Sequence, residues 1–98
     1  MKLMAEAKEF KPVIKGKEIS AELEGEIIAT ARYALDKMHT LQEMATHLKD
    51  ELNRKYNGDW HAFVGRNFGS YVTYEANHYM YFYIGQYGFL VFKTVKNA

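Results

Sequence analysis

Four histidines (His39, His47, His61 and His78) and Ser70 are the side chains of this sequence that most invite chemistry. A structural or catalytic zinc site needs paired ligands a few residues apart, often with thiolates among them. Here the histidines are scattered, and the chain has no cysteine to supplement them. They read as solvent-facing or hydrogen-bonded structural residues, and neither a metal nor any other cofactor is expected. The lack of cysteine also removes disulfides and a thiol nucleophile, and it suits a reducing compartment. Ser70 can be drawn with His78 or His61 as nucleophile and base, but no Gly-x-Ser-x-Gly elbow surrounds it. Ser70 fits better as a small residue along a strand, and the chain is read as non-enzymatic.

A different kind of chemistry, main-chain pairing, is written into Gly65-Arg66-Asn67-Phe68-Gly69-Ser70-Tyr71-Val72-Thr73-Tyr74. Two glycines near its start permit close backbone approach. After Gly69 there is no proline and no charged side chain of the kind that blunts a sheet edge. At an edge, Phe68–Tyr74 would template an extended peptide, with main-chain hydrogen bonds giving affinity and alternate side-chain pockets giving selectivity. The other reading is an interior strand of a hairpin. Periodicity leaves both open.

The elements that must position this segment are legible on either side of it. Pro12-Val13-Ile14-Lys15 reads as a short strand with proline at its start, broken by Gly16. Ser20 is a helix N-cap, with Glu22, Glu24 and Glu26 toward the positive end of the dipole. Leu23, Ile27, Ala31, Ala34, Leu35 and Met38 then recur at helical spacing, and Gly25 weakens that helix without stopping it. Thr40-Leu41-Gln42-Glu43 predicts a capping box opening a second helix. Its apolar face is Leu41, Met44, Ala45, Leu48 and Leu52, and it ends near Tyr56 ahead of Asn57-Gly58-Asp59. Beyond Trp60 the period becomes two, over Trp60–Gly65, Phe68–Tyr74, His78–Ile84 and Tyr87–Lys93. Tyr79, Tyr81 and Tyr83 share one face of the third run, opposite Met80, Phe82 and Ile84; the last run is apolar on both faces, as a central strand is. The fold class is α+β: two N-terminal amphipathic helices packed on an antiparallel sheet of four to five strands. Residues 1–11 read as a flexible tail and 12–98 as a single domain.

Composition narrows the function classes. Thirteen basic and 12 acidic residues give a net charge of +1, which makes no global case for nucleic acid or an anionic membrane. No run approaches the ~20 apolar residues of a membrane span, and the charged N-terminus is not a signal peptide, so a soluble intracellular protein is expected. Hydrophobic residues are 48% of the chain, and six of eight tyrosines lie between Tyr71 and Tyr87, an aromatic surface too large to leave wet. Oligomerisation or ligand burial would cover it. Tyr87-Gly88-Phe89-Leu90-Val91-Phe92 has some look of an RNA-stacking strand, so an aromatic nucleic-acid module is an alternative, as is a structural homodimer without peptide binding.

Trp60-His61, Val64–Thr73, Glu75, His78, Tyr81-Phe82-Tyr83 and Gly85-Gln86 together resemble the small cytoplasmic dynein light chains of the LL type, and the likeness runs from about Val13 to Lys93. The helices share it through Ala31, Ala34, Leu35, Lys37, His47, Lys49, Glu51 and Lys55-Tyr56-Asn57. The resemblance implies a homodimer in which the strand at Phe68–Tyr74 is exchanged onto the partner's sheet. Its free edge and the partner's second helix then wall a groove for short extended segments of disordered proteins. Such segments often have a central glutamine, and the intermediate chain of the dynein motor supplies one of them. Cytoplasmic, microtubule-associated placement follows from the same likeness.

Carried over by position, Asn67, Phe68, Gly69, Ser70, Tyr71, Val72, Thr73 and Tyr74 form the peptide-binding strand, and Lys15, Tyr81 and Tyr83 line the groove, with Leu41 and Gln42 at its helix side. Asp50, Trp60 and His61, with Phe68, Ser70, Tyr71, Val72 and Thr73, fall at the subunit interface, where protonation of His61 would favour monomers. Leu41 and Gln42 stand where the family commonly has an acid and a base, Tyr74 where histidine is usual, and Asp50 in place of a lysine. Tyr87 and Phe89 replace smaller aliphatics. These departures bear on ligand preference more than on fold.

Overall fold

The computed structural model describes residue 7 and residues 9–66 and 78–94 of the 98-residue chain. Strand β1 (Pro12–Glu18) precedes helices α1 (Ala21–Lys37) and α2 (Leu41–Lys55), followed by β2 (Asp59–Arg66), β3 (Tyr79–Ile84) and β4 (Tyr87–Thr94). The expected strand at Phe68–Tyr74 lies outside the described residues.

Both helices start where their caps predict. The Ser20 hydroxyl accepts from Leu23 N–H at 3.2 Å, and Thr40 Oγ1 accepts from Glu43 N–H at 3.0 Å. Glu43 returns the favour, its carboxylate accepting from the amides of His39 (2.8 Å) and Thr40 (3.2 Å), which satisfies donors a helix start leaves orphaned. Leu23, Ile27, Ala31, Ala34 and Leu35 from α1 and Met44, Leu48 and Leu52 from α2 are all buried. A Lys55–Glu26 ion pair at 2.6 Å and a Tyr33–His47 ring stack at 5.1 Å join the helices on their outer side. The turn after α2 is closed by Gly58 at φ +112°, a value that favours glycine.

The strands form one antiparallel sheet in the order β1-β3-β4-β2. β4 is central, as its two apolar faces imply, and a two-residue turn at Gly85-Gln86 joins it to β3, Gly85 taking φ +62°. Met80, Phe82, Ile84, Phe89 and Val91 lie on the helix side and complete the core, with Phe82 and Phe89 stacked at 5.1 Å. The bulky Tyr87 and Phe89 are therefore core residues, 3% and 0% exposed. Their burial also removes them from any base-stacking surface.

One expectation is revised. Gly16 does not break β1, which runs on to Glu18; it sits under Tyr79, whose hydroxyl would lie 3.2 Å from a Cβ added at Gly16. Glycine here serves close approach beside a bulge, one of its two usual roles within strands. Within residues 1–11, read from the sequence as a tail, two described residues make contacts. Ala7 is 6% exposed within the core, and the Phe10 carbonyl accepts from Arg32 Nη1 at 3.1 Å.

Candidate functional site

Strand alternation sends every second side chain of the sheet to the face away from the helices. Register fixes which ones meet there. Tyr79 is paired with Phe92, and Phe92 with His61; Tyr81 with Leu90, and Leu90 with Phe63; Tyr83 with Gly88, and Gly88 with Gly65. Phe92 stacks on His61 at 5.1 Å and on Phe63 at 6.0 Å. Phe63 is nonetheless 55% exposed, and the three tyrosines are half-buried. So the tyrosine stripe belongs to an aromatic sheet face on the side away from the helices. It is not a surface covered by the helices.

At one end of this face Lys15, Tyr81 and Tyr83 come together. The pairing Ile14–Phe82 is followed by Gly16–Tyr81, leaving Lys15 as the extra residue of a β-bulge. Its ammonium lies 5.9 Å from the centre of the Tyr83 ring, a cation–π distance. Tyr81 and Tyr83 bring their hydroxyls to 3.4 Å. That hydrogen bond first, then burial and the charge of a Tyr81 phenolate, push the Tyr83 phenol up to about 12.

Leu41, Gln42 and Asp50 lie on the other side of the sheet. Leu41 packs against the core, while Gln42 and Asp50 are exposed and share an open cleft of about 670 Å³ at the head of α2 with Thr40 and Glu43. A groove needing both Lys15–Tyr83 and the head of α2 thus takes them from opposite sides of the sheet. Trp60, placed by resemblance at a subunit interface, has its indole inside the core of its own protomer, 1% exposed. There its N–H backbone donates to Asn53 Oδ1 at 2.8 Å and Lys93 lies over its ring at 5.8 Å. Trp60 lies on β2, which is an outer strand among those described. Asn67, Phe68, Gly69, Ser70, Tyr71, Val72, Thr73 and Tyr74 lie outside the described residues.

His61 stands on the exposed sheet face, with Nε2 3.3 Å from Thr94 Oγ1 and 3.7 Å from Asp59 Oδ2. The other histidines are dispersed, and among the described residues no group of three His, Asp or Glu side chains is arranged to hold a metal. None of the described helices is long and apolar enough to cross a membrane. Phe63 and Phe92 are site residues that reading the sequence did not single out. Their signal was the period of two across β2 and β4, which places them beside His61 once β2 is paired with β4 and not with its sequence neighbour.

Known proteins share this arrangement. The chain superposes on the dynein light chain-like domain of the Fasciola hepatica calcium binding protein FhCaBP2 with a TM-score of 0.76, at 16% identity over 90% of this chain and 95% of that one. It superposes on the dynein light chain-like domain of CsTAL3 with a TM-score of 0.73, at 17% identity over 87% of this chain and 94% of that one. At such identities the likeness is one of fold. Sequence goes further: the chain is 43% identical over 91 residues to the cytoplasmic dynein light chain 1 of Saccharomyces cerevisiae, covering 93% of this chain and 99% of that protein. The family described as dynein light chain type 1 matches residues 11–94, nearly the whole of the described fold. This chain belongs to the dynein light chain family.

Proposed function

We propose that the protein is a non-catalytic homodimeric light chain that captures short extended segments of partner proteins by β-strand addition. Its setting would be a cytoplasmic dynein motor, on microtubules, or a related dimerising scaffold. The observation that carries this reading is the outer edge of β2. Among the described residues β2 is paired along one side only, to β4, over eight consecutive positions. Between Trp60 and Gly65 it has no proline and no acidic or lysine side chain to repel an incoming strand.

An exchanged strand from residues 68–74 of a second copy would fill that edge. The second copy would also cover Phe63, which is 55% exposed on the sheet face. The separation of the Lys15–Tyr83 corner from the head of α2 supports the same reading, because two subunits can bring together what one holds apart. A peptide would then lie along the exchanged strand, between these two walls.

The test is a pair of measurements on the intact chain. Sedimentation equilibrium should give two copies at neutral pH. Titration with a synthetic extended peptide carrying a central glutamine should protect amides within 68–74 from exchange. A chain that stays single, or a dimer that protects no amide there with any extended peptide, would overturn the reading.

A further inference from the structure

We propose that strand addition to this sheet is one-sided: the β1 edge is built to refuse a strand, so assembly through β2 closes at two copies instead of propagating. The part concerning β2 rests on the function proposed above; the refusal at β1 stands on its own geometry. The described sheet has two outer strands, β2 and β1. A β2 edge meeting the β1 edge of the next copy would be a head-to-tail contact, and such contacts run on into filaments unless rotation closes them.

β1 needs protection, because it is apolar where it is exposed. Val13 is 52% and Ile14 36% exposed, on a strand of seven residues. Open strands of this kind are templates for pairing. Four features stand against that. Pro12 has no N–H to give to an incoming strand. The bulge at Lys15 breaks the register, so a regular strand laid alongside cannot keep its spacing past Ile14. Lys15, Lys17 and Glu18 are exposed, and Lys17 is tied to Glu24 of α1 at 2.6 Å, so its charge is held at the edge. Ahead of Pro12 the chain is turned, Phe10 N–H donating to the Ala7 carbonyl at 3.0 Å, and Arg32 anchors that turn to α1. The edge therefore cannot lengthen. β2 has an uninterrupted register and shows none of the four over Trp60–Gly65.

The experiment compares the intact chain with a variant combining Pro12→Val, deletion of Lys15 and Lys17→Val. By sedimentation velocity the intact chain should stop at two copies as concentration rises tenfold, and the variant should add larger species that grow with concentration. A variant that stops where the intact chain stops, or an intact chain that itself grows, would overturn the proposal. A second measurement covers a variant that fails to fold. Amide exchange on the intact chain with saturating glutamine-centred peptide should leave Lys17 and Glu18, beyond the Lys15 corner, unchanged, and protection there would equally overturn it. An intact chain that stays single strikes the assembly reading alone, since growth of the variant from that single species still decides the β1 edge.

Discussion

On the proposed reading, replacing Phe63 by alanine should weaken the dimer about a thousandfold while leaving the protomer folded. In the lone protomer Phe63 is 55% exposed on the sheet face, its ring 6.0 Å from Phe92. A free phenylalanine presents roughly 200 Å², so about 110 Å² remains to be covered, worth about 2.7 kcal/mol at about 25 cal/mol per Å². Alanine keeps part of that area, which leaves a loss of about 2 kcal/mol per subunit. A two-fold contact counts the residue twice, about 4 kcal/mol, and about 1.4 kcal/mol per decade makes this close to three decades in Kd. The cost within the protomer is smaller, because half the ring is already wet; losing the stack on Phe92 forfeits about 1 kcal/mol. Sedimentation equilibrium of both proteins over a wide concentration range reads the dimer constant directly, and circular dichroism checks the fold. A Kd within about threefold of the parent, in a folded variant, would refute the claim that a second copy covers this face.

Other outcomes follow from the same structure. Gly25 lies in the second turn of α1, exposed, with nothing within 4 Å of an added Cβ. Gly25→Ala should therefore stabilise the chain by about 1 kcal/mol and raise Tm by about 4–8 °C in a thermal melt; a lowered Tm would contradict the open space. The Tyr83 phenol is raised to about 12, so the fold favours its neutral form. Its stabilising contribution is complete below about pH 10, the value of a free tyrosine, and is lost as pH rises through about 12. In a phenolate absorbance titration Tyr81→Phe should lower the last-titrating step, since the Tyr81 hydroxyl is the largest cause of the shift.

The helices were the most legible part of the sequence because their signals are local. Ser20 and the Thr40–Glu43 box act within one turn, and the apolar spacing of Leu23 through Leu35 needs no knowledge of what covers it. The strands were legible as strands, but their order was not. β2 is followed in sequence by 67–77 yet pairs with β4, a choice made by burial across the whole sheet and by no residue near β2. β1 shows the same limit from the other side. Gly16 is a breaker by composition, and only the Tyr79 ring lying across it, some sixty residues away in sequence, makes it the residue a continuing strand requires. Lys15 was placed at the site by resemblance, and the bulge supplies the physical cause, turning the extra residue onto the tyrosine face.

The departures from the family pattern sort by where they sit. Tyr87 and Phe89 are enclosed, and the core has absorbed them: Phe89 stacks on Phe82 with ring planes 10° apart, so two large rings fill the volume as a flat pair. Changes of this kind alter packing and stop there. At the head of α2 nothing encloses Gln42 and Asp50, and the neighbouring groups have prior commitments. The Glu43 carboxylate is taken by the amides of His39 and Thr40, the Thr40 hydroxyl by Glu43 N–H, and Leu41 packs on the core. Gln42 is thus the polar side chain of that helix start left to meet a ligand, and it carries no charge. On the proposed reading, Gln42 meets a ligand by neutral hydrogen bonding, so Gln42→Ala should weaken an extended peptide that reaches it by roughly threefold to tenfold in a titration, and an unchanged Kd would contradict that role.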